Sequence, residues 1–202
     1  LRVLRTALCG SDTKLWQRGA EHTPGHEIFG RVDQPGHALH GRRCCVFMPV
    51  HCGHCASCSR GDTHLCLSES TLLGWNRPGG YAKALAVPQQ CLMPVPDDID
   101  DDLAPLLLDT IGTAAHGLRT VKPLLPGAEA ELLITGAGPV GLGALVAAQE
   151  LGWRRLWVSD PRPERLALAV ALGAQAHPVG DLGRRFHAVI ESIGAHAARK
   201  QG

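Results

Sequence analysis

Four cysteines, Cys52, Cys55, Cys58 and Cys66, fall within fifteen residues at the spacing C-x2-C-x2-C-x7-C, and no other stretch restricts the fold as tightly. Thiolates three residues apart reach one ion from a tight turn. Four of them saturate a tetrahedral Zn²⁺ at about 2.3 Å per bond and leave no open position. A site closed in this way holds a loop and does no chemistry. The alternative, a set of buried or disulfide-linked cysteines, fits less well, because glycine and polar residues between the thiols make a poor core. Eight cysteines, five of them candidate metal ligands and Cys44, Cys45 and Cys91 read as small core residues in apolar strands, suit a reducing cytosol better than a secreted disulfide framework, so the expected location is cytoplasmic.

The residues before and after the quartet follow different patterns. Residues 1–8 alternate as a strand and lead into Cys9-Gly10-Ser11-Asp12. Pro24-Gly25 opens a turn followed by a strand over 25–33. Val46–Val50 reads as a strand that delivers the cysteine loop. Tyr81–Val87, bounded by Gly80 and Pro88, reads as another. Short strands with many Gly and Pro residues predict a mostly β domain over residues 1–110. A helix is expected over 103–120. Strand then alternates with helix: strands at 132–135, 156–159, near 175–179 and at 188–191, with helices near 139–151 and 162–172. That alternation predicts an α/β domain over 111–202 with a parallel sheet and right-handed crossovers.

Gly136-Ala137-Gly138-Pro139-Val140-Gly141 matches G-x-G-x-x-G, directly after an apolar strand and at the start of an Ala- and Leu-rich helix. In that context the pattern is a dinucleotide fingerprint. Gly136 allows the tight turn, Gly138 the approach of the pyrophosphate, and Gly141 close packing of helix on strand. The N–H groups around Pro139 and Val140 open the helix toward the phosphates. Asp160 ends the next strand, 19 residues beyond Gly141, where a carboxylate accepts bonds from ribose hydroxyls and repels a 2′-phosphate. The expected cofactor is therefore NAD rather than NADP. Arg162 and Arg165 stand close in sequence and could meet a phosphate, and Asp160 can also cap the following helix.

The quartet, followed by Gly79-Gly80-Tyr81-Ala82, resembles the structural-zinc lobe of the zinc-containing medium-chain alcohol and polyol dehydrogenases. The resemblance covers the whole chain. It implies a GroES-like β catalytic domain followed by a Rossmann sheet. It also implies two Zn²⁺ per chain, NAD, an alcohol or polyol substrate and a full-length homodimer or homotetramer. Cys9 stands where that family keeps its first catalytic zinc ligand, and Gly25-His26-Glu27 resembles the second-ligand motif. Asp109, at the end of Ala104-Pro105-Leu106-Leu107-Leu108-Asp109, matches the third. By the same resemblance Ser11 is the relay hydroxyl, Asp12 orients the ligating histidine, Glu27 approaches the metal and Thr113 meets the nicotinamide. Such a zinc ion acts as a Lewis acid on the substrate oxygen. Arg42, Lys83 and His187 depart from the family's usual residues, and the loop between Cys9 and His26 is short. Asn76-Arg77-Pro78-Gly79 with Asp109 looks somewhat like the threonine and polyol branch. Measured against the family, the chain reads as a fragment, lacking the first β strands and everything beyond the fourth sheet strand.

Two other classes compete with an enzyme. One is a non-catalytic, truncated zinc-binding paralogue. The other is a zinc-ribbon nucleic-acid binder, against which the net charge of +1 argues. No run of eighteen apolar residues exists, so no membrane-spanning helix is expected, and no signal peptide is recognised at the start.

Overall fold

The computed structural model describes residues 1–68, 71–181 and 183–194. The chain divides into two units, Leu1–Leu108 and Asp109–Gly202, a boundary two residues ahead of the expected one.

The first unit contains, in order, β1 (Arg2–Ala7), α1 (Asp12–Arg18), β2 (Glu27–Arg31), β3 (Arg43–Val46), β4 (Pro49–Val50), α2 (Ala56–Ser59), β5 (Thr71–Leu72) and β6 (Leu92–Pro94). A four-stranded antiparallel sheet runs in the order β1-β2-β3-β6, and β4 pairs with β5. Successive residues of a strand point to opposite faces, and β2 is buried on both. Ile28 packs with Val46, Leu73, Leu85 and Cys91, while Phe29 packs with Cys45, Val95 and Ala104. Leu107 and Leu108 lie against the Phe29 cluster. Cys44, Cys45 and Cys91 are buried core residues. Burial pushes each thiol up, Cys45 to about 12, so they stay neutral and inert.

Two expected strands are redrawn. Val46–Val50 is not continuous: Val46 ends β3, and Pro49–Val50 belongs to the two-stranded sheet. Proline lacks the N–H a central strand needs, and a short ladder tolerates it. Tyr81–Val87 forms no strand, only an isolated bridge between Arg2 and Ala84. The N–H groups of Gly79, Gly80 and Tyr81 are taken by the carbonyls of Thr23, Gly25 and Pro24, so only residues 83–85 run beside Leu1–Val3. Helix α1 was not expected. Its sequence, DTKLWQR, has no apolar period, and Asp12 is its one buried residue.

The second unit contains α3 (Gly112–Val121), β7 (Glu131–Thr135), α4 (Pro139–Glu150), β8 (Arg155–Ser159), α5 (Pro163–Ala171), β9 (Gln175–Ala176) and β10 (Ala188–Glu191). The expected helix over 103–120 is broken into a 3-10 turn (Ala104–Leu106), a π-helical turn (Leu107–Ile111) and α3. Pro105 and Gly112 punctuate it. The sheet is parallel in the order β10-β7-β8-β9. The order reverses beside β7: β8 and β9 step away on one side, and β10 returns to the other. The crevice beyond the carboxyl ends of β7 and β10 is therefore a topological switch point, where such sheets bind ligands. Leu132, Ile134, Leu156 and Val158 bury their side chains with Leu118, Leu145 and Trp153. Among the described residues no helix is long and apolar enough to cross a membrane.

Candidate metal centres and dinucleotide loop

Gly53, at φ 80°, turns the chain between Cys52 and Cys55. Cys58 lies in α2, and Cys66 follows a 3-10 turn over Thr63–Leu65. The four sulfur atoms lie within 4.8 Å of one another, and Cys52 Sγ is 3.9 Å from Cys58 Sγ. Ligands about 2.3 Å from a tetrahedral centre are separated by ~3.8 Å, so the cage has the size of a zinc site. Backbone N–H groups also donate to sulfur: Cys55 to Cys52 at 3.3 Å, Cys52 to Cys66 at 3.4 Å and Leu67 to Cys55 at 3.5 Å. The Ser68 hydroxyl and the N–H groups of His54 and Cys55 hold the Cys52 thiol down, at about 5. Desolvation and the neighbouring thiols push Cys58 up to about 12. Four thiolates crowded so closely need a cation to be charged together, and a divalent ion fits this donor set.

A second group lies around α1. Cys9, His26 and Glu27 offer a sulfur, a nitrogen and an oxygen within 4.8 Å of one another, with His26 and Glu27 buried. Thiolate, imidazole and carboxylate are the ligand types of an open zinc site. Asp12 underlies this group. Its Oδ2 accepts the Cys9 N–H at 2.9 Å, and its Oδ1 lies 3.4 Å from His26 Nδ1. The His26 ring stacks on Trp75 at 6.0 Å between centroids. Ser11 stands at the N-terminal end of α1 beside Asp12, and its hydroxyl makes no capping bond to the helix. A cavity of about 790 Å³ opens here, lined by Leu8, Cys9, Asp12, Trp16, Pro24 and Tyr81, among others. The residue that sequence reasoning passed over is Tyr81, whose phenol donates to Asp12 Oδ2 at 2.6 Å. Burial, then this bond, pushes the Tyr81 phenol well above its ordinary value. Its signal in the sequence was Gly79-Gly80-Tyr81, read only as part of the resemblance.

In the second unit, Asp109 sits in the π-helical turn and accepts a hydrogen bond from the Thr113 hydroxyl at 3.1 Å. The glycine loop follows β7. Gly136 has φ 94°, a conformation strained for any L side chain. A Cβ on Gly141 would collide with the Gly136 carbonyl and lie 2.8 Å from Ser192 Oγ. Pro139 is at the start of α4 with Val140 behind it, both at least partly exposed, so the helix N-terminus is open to a phosphate. Arg165 reaches back to the loop, its Nη1 3.8 Å from where a Gly138 Cβ would be. Asp160 is buried and accepts the Ala137 N–H at 2.7 Å and the Arg162 N–H at 2.8 Å. It thus ties the glycine loop to the start of α5, and carboxylate lone pairs remain for a ribose diol. Replacing Gly141 by alanine is expected to lower stability by about 1–3 kcal/mol, the usual cost of overpacking. Thermal unfolding would show it, and an unchanged melting temperature would mean the loop yields without cost.

Residues 1–97 match the alcohol dehydrogenase GroES-like domain. An L-threonine 3-dehydrogenase of Mesorhizobium japonicum is 36% identical over 207 aligned residues, covering 96% of this chain and 58% of that protein. The chain belongs to the zinc-containing medium-chain alcohol and polyol dehydrogenase family. Solved structures share the fold. Galactitol-1-phosphate dehydrogenase from Escherichia coli superposes with a TM-score of 0.83 at 26% identity, covering 100% of this chain and 62% of that one. A short chain alcohol dehydrogenase from E. coli CFT073, complexed with NADH, gives 0.82 at 25% identity, covering 96% and 61%. The GroES-like β unit and the α/β unit expected of this dehydrogenase family are both present. The chain spans only 58% of the length of its threonine dehydrogenase relative.

Proposed function

We propose that this chain carries the metal and nucleotide sites of a zinc-dependent oxidoreductase, one that transfers a hydride between a secondary alcohol or polyol and NAD. The observation that carries the reading is the second, mixed ligand set: Cys9, His26 and Glu27 with their donor atoms within 4.8 Å of one another. A module that merely held its fold with zinc would need only the all-cysteine cage. In this reading Cys52, Cys55, Cys58 and Cys66 hold a structural zinc. Cys9, His26 and Asp109 hold a second, Asp109 being the third ligand that the family resemblance implies. When bound there, zinc supplies Lewis-acid polarisation of the substrate oxygen, and the nicotinamide supplies the hydride acceptor.

The chain's own groups do the rest. Asp12 holds the His26 ring, as carboxylates beside ligating imidazoles do. Ser11, at the head of α1, relays the hydroxyl proton of the substrate, its Oγ accepting that proton as it passes its own outward toward solvent. Glu27 stands close enough to approach the metal. Thr113, held on Asp109, faces the nicotinamide. Gly136, Gly138, Pro139, Val140 and Gly141 receive the pyrophosphate, with Arg165 beside them, and Asp160 receives the ribose hydroxyls. Cysteines clustered to hold metal suit a reducing cytoplasm, which keeps them from pairing as disulfides.

The test uses the full-length protein, stripped of metal and reloaded with zinc, with NAD and a panel of secondary alcohols and polyols. Two zinc ions per chain and zinc-dependent NAD reduction are expected. One zinc or none, or reduction that survives complete metal removal, would overturn the reading. Cofactor choice has its own test. Asp160→Ser removes the charge that faces a 2′-phosphate and leaves Arg162 and Arg165 nearby. It is expected to raise the NADP-to-NAD ratio of kcat/KM by about tenfold, the worth of one hydrogen bond to a charged group. An unmutated enzyme that already prefers NADP would refute the role given to Asp160.

A further inference from the structure

We propose that Tyr81 is a positioning residue for the second metal set, acting through Asp12 on both His26 and Cys9. The proposal rests on the reading of Cys9 and His26 as ligands. Its geometry is independent of any ion. The Tyr81 phenol donates to Asp12 Oδ2 at 2.6 Å, and the same oxygen accepts the Cys9 N–H at 2.9 Å. The other carboxylate oxygen lies 3.4 Å from His26 Nδ1. Asp12 is 7% exposed, so water has little access to replace a missing donor. The phenol oxygen also lies 3.3 Å from the Ala7 carbonyl, a longer contact at the end of β1.

The backbone around Tyr81 acts in the same direction. Gly79, Gly80 and Tyr81 donate their N–H groups to Thr23, Gly25 and Pro24 at 2.7, 2.8 and 3.0 Å. They form a strap across the three residues that precede His26. The Tyr81 ring then lies over Gly25: a Cβ there would be 2.8 Å from the ring, and Gly25 already has φ 97°. One residue therefore grips both ligand segments, through its ring next to His26 and through its hydroxyl next to Cys9. These segments are far apart in sequence and share no strand. The β1–β2 pairing ends at Ala7 and Glu27, so beyond it the strap and the phenol continue the connection.

Removing the hydroxyl alone separates this role from packing. Tyr81→Phe keeps the ring over Gly25 and deletes one donor to Asp12. The full-length protein, stripped of metal, would be titrated with Co²⁺, whose visible bands report ligand geometry. In the unmutated protein two Co²⁺ ions are expected to bind. In Tyr81→Phe the Cys9/His26 site should lose about tenfold in affinity, the usual effect of deleting an outer hydrogen-bond partner of a metal ligand. Its bands should shift, while the four-cysteine site and the melting temperature stay as they were. In an Asp12→Ala background, which leaves the phenol no acceptor at position 12, the same substitution should add nothing, because the two changes act on one bond network. An unshifted spectrum with undiminished affinity would overturn the proposal, as would an effect additive to that of Asp12→Ala. Parallel weakening of both sites with a lowered melting temperature would assign Tyr81 to folding instead, also against it. If the unmutated protein takes up a single Co²⁺, the ligand reading of Cys9 and His26 fails first.

Discussion

Replacing Cys58 by serine is expected to remove one zinc per chain and to lower the melting temperature of the first unit sharply. The four sulfurs lie within 4.8 Å of one another, and little else orders this lobe. Among the described residues between Val50 and Thr71, the regular structure consists of the four-residue α2 and one 3-10 turn, and Leu65 and Leu67 are exposed. The segment thus buries little apolar surface of its own, and metal binding must replace the missing core. Structural zinc contributes about 10–16 kcal/mol in isolated zinc-finger peptides. Only part of that would appear here, because the clusters around Ile28 and Phe29 persist without the lobe. Even a loss of about 2 kcal/mol shifts the melting temperature of a unit this size by roughly 8–16 °C. The measurement is metal analysis beside thermal unfolding, with chelator treatment of the unmutated protein as the comparison. A serine variant that retained two zinc ions and the original melting temperature would show that the cage is not a metal site.

The features legible in the sequence were those whose chemistry is local. Cys52, Cys55, Cys58 and Cys66 need only a turn at Gly53 and one helical turn to converge. Gly136 to Gly141 need only the strand before and the helix after. The strand–helix alternation beyond residue 131 announced the parallel sheet, because each strand is a short apolar run between helical patterns. The features that escaped were set by distant partners. Tyr81–Val87 has the alternation of a strand, yet the N–H groups at its start are spent on Thr23–Gly25. Helix α1 carries Lys14, Trp16 and Gln17 outward, so no periodic face betrayed it. The double duty of Asp160, on Ala137 and Arg162, required knowing that the end of β8 lies beside the glycine loop. The tie from Tyr81 to Asp12 joins residues 69 positions apart, and it takes both the β1–β2 pairing and the bonds from Gly79–Tyr81 to Thr23–Gly25 to bring the two loops together.

Cys9→Ser should produce the opposite division of effects. In the full-length protein zinc content again falls from two per chain to one, but it is turnover that falls steeply while the fold stays nearly intact. The reason lies in where Cys9 sits. It is half-buried in the loop between β1 and α1, and its backbone N–H, which serine retains, provides the bond to Asp12. The antiparallel pairing of β1 with β2 does not involve its side chain. Stability should therefore change far less than in Cys58→Ser. Activity should change far more, since Lewis-acid stabilisation of developing charge supplies several kcal/mol. At ~1.4 kcal/mol per decade of rate, losing about 4 kcal/mol lowers kcat by roughly a thousandfold. The two variants measured together, for zinc content, melting temperature and zinc-dependent NAD reduction, form a crossed test of the two-centre reading. If Cys9→Ser turned over substrate at the original rate, the second set would not be catalytic. If it unfolded as readily as Cys58→Ser, the second set would be another structural clip, and the reacting centre would have to be sought away from α1.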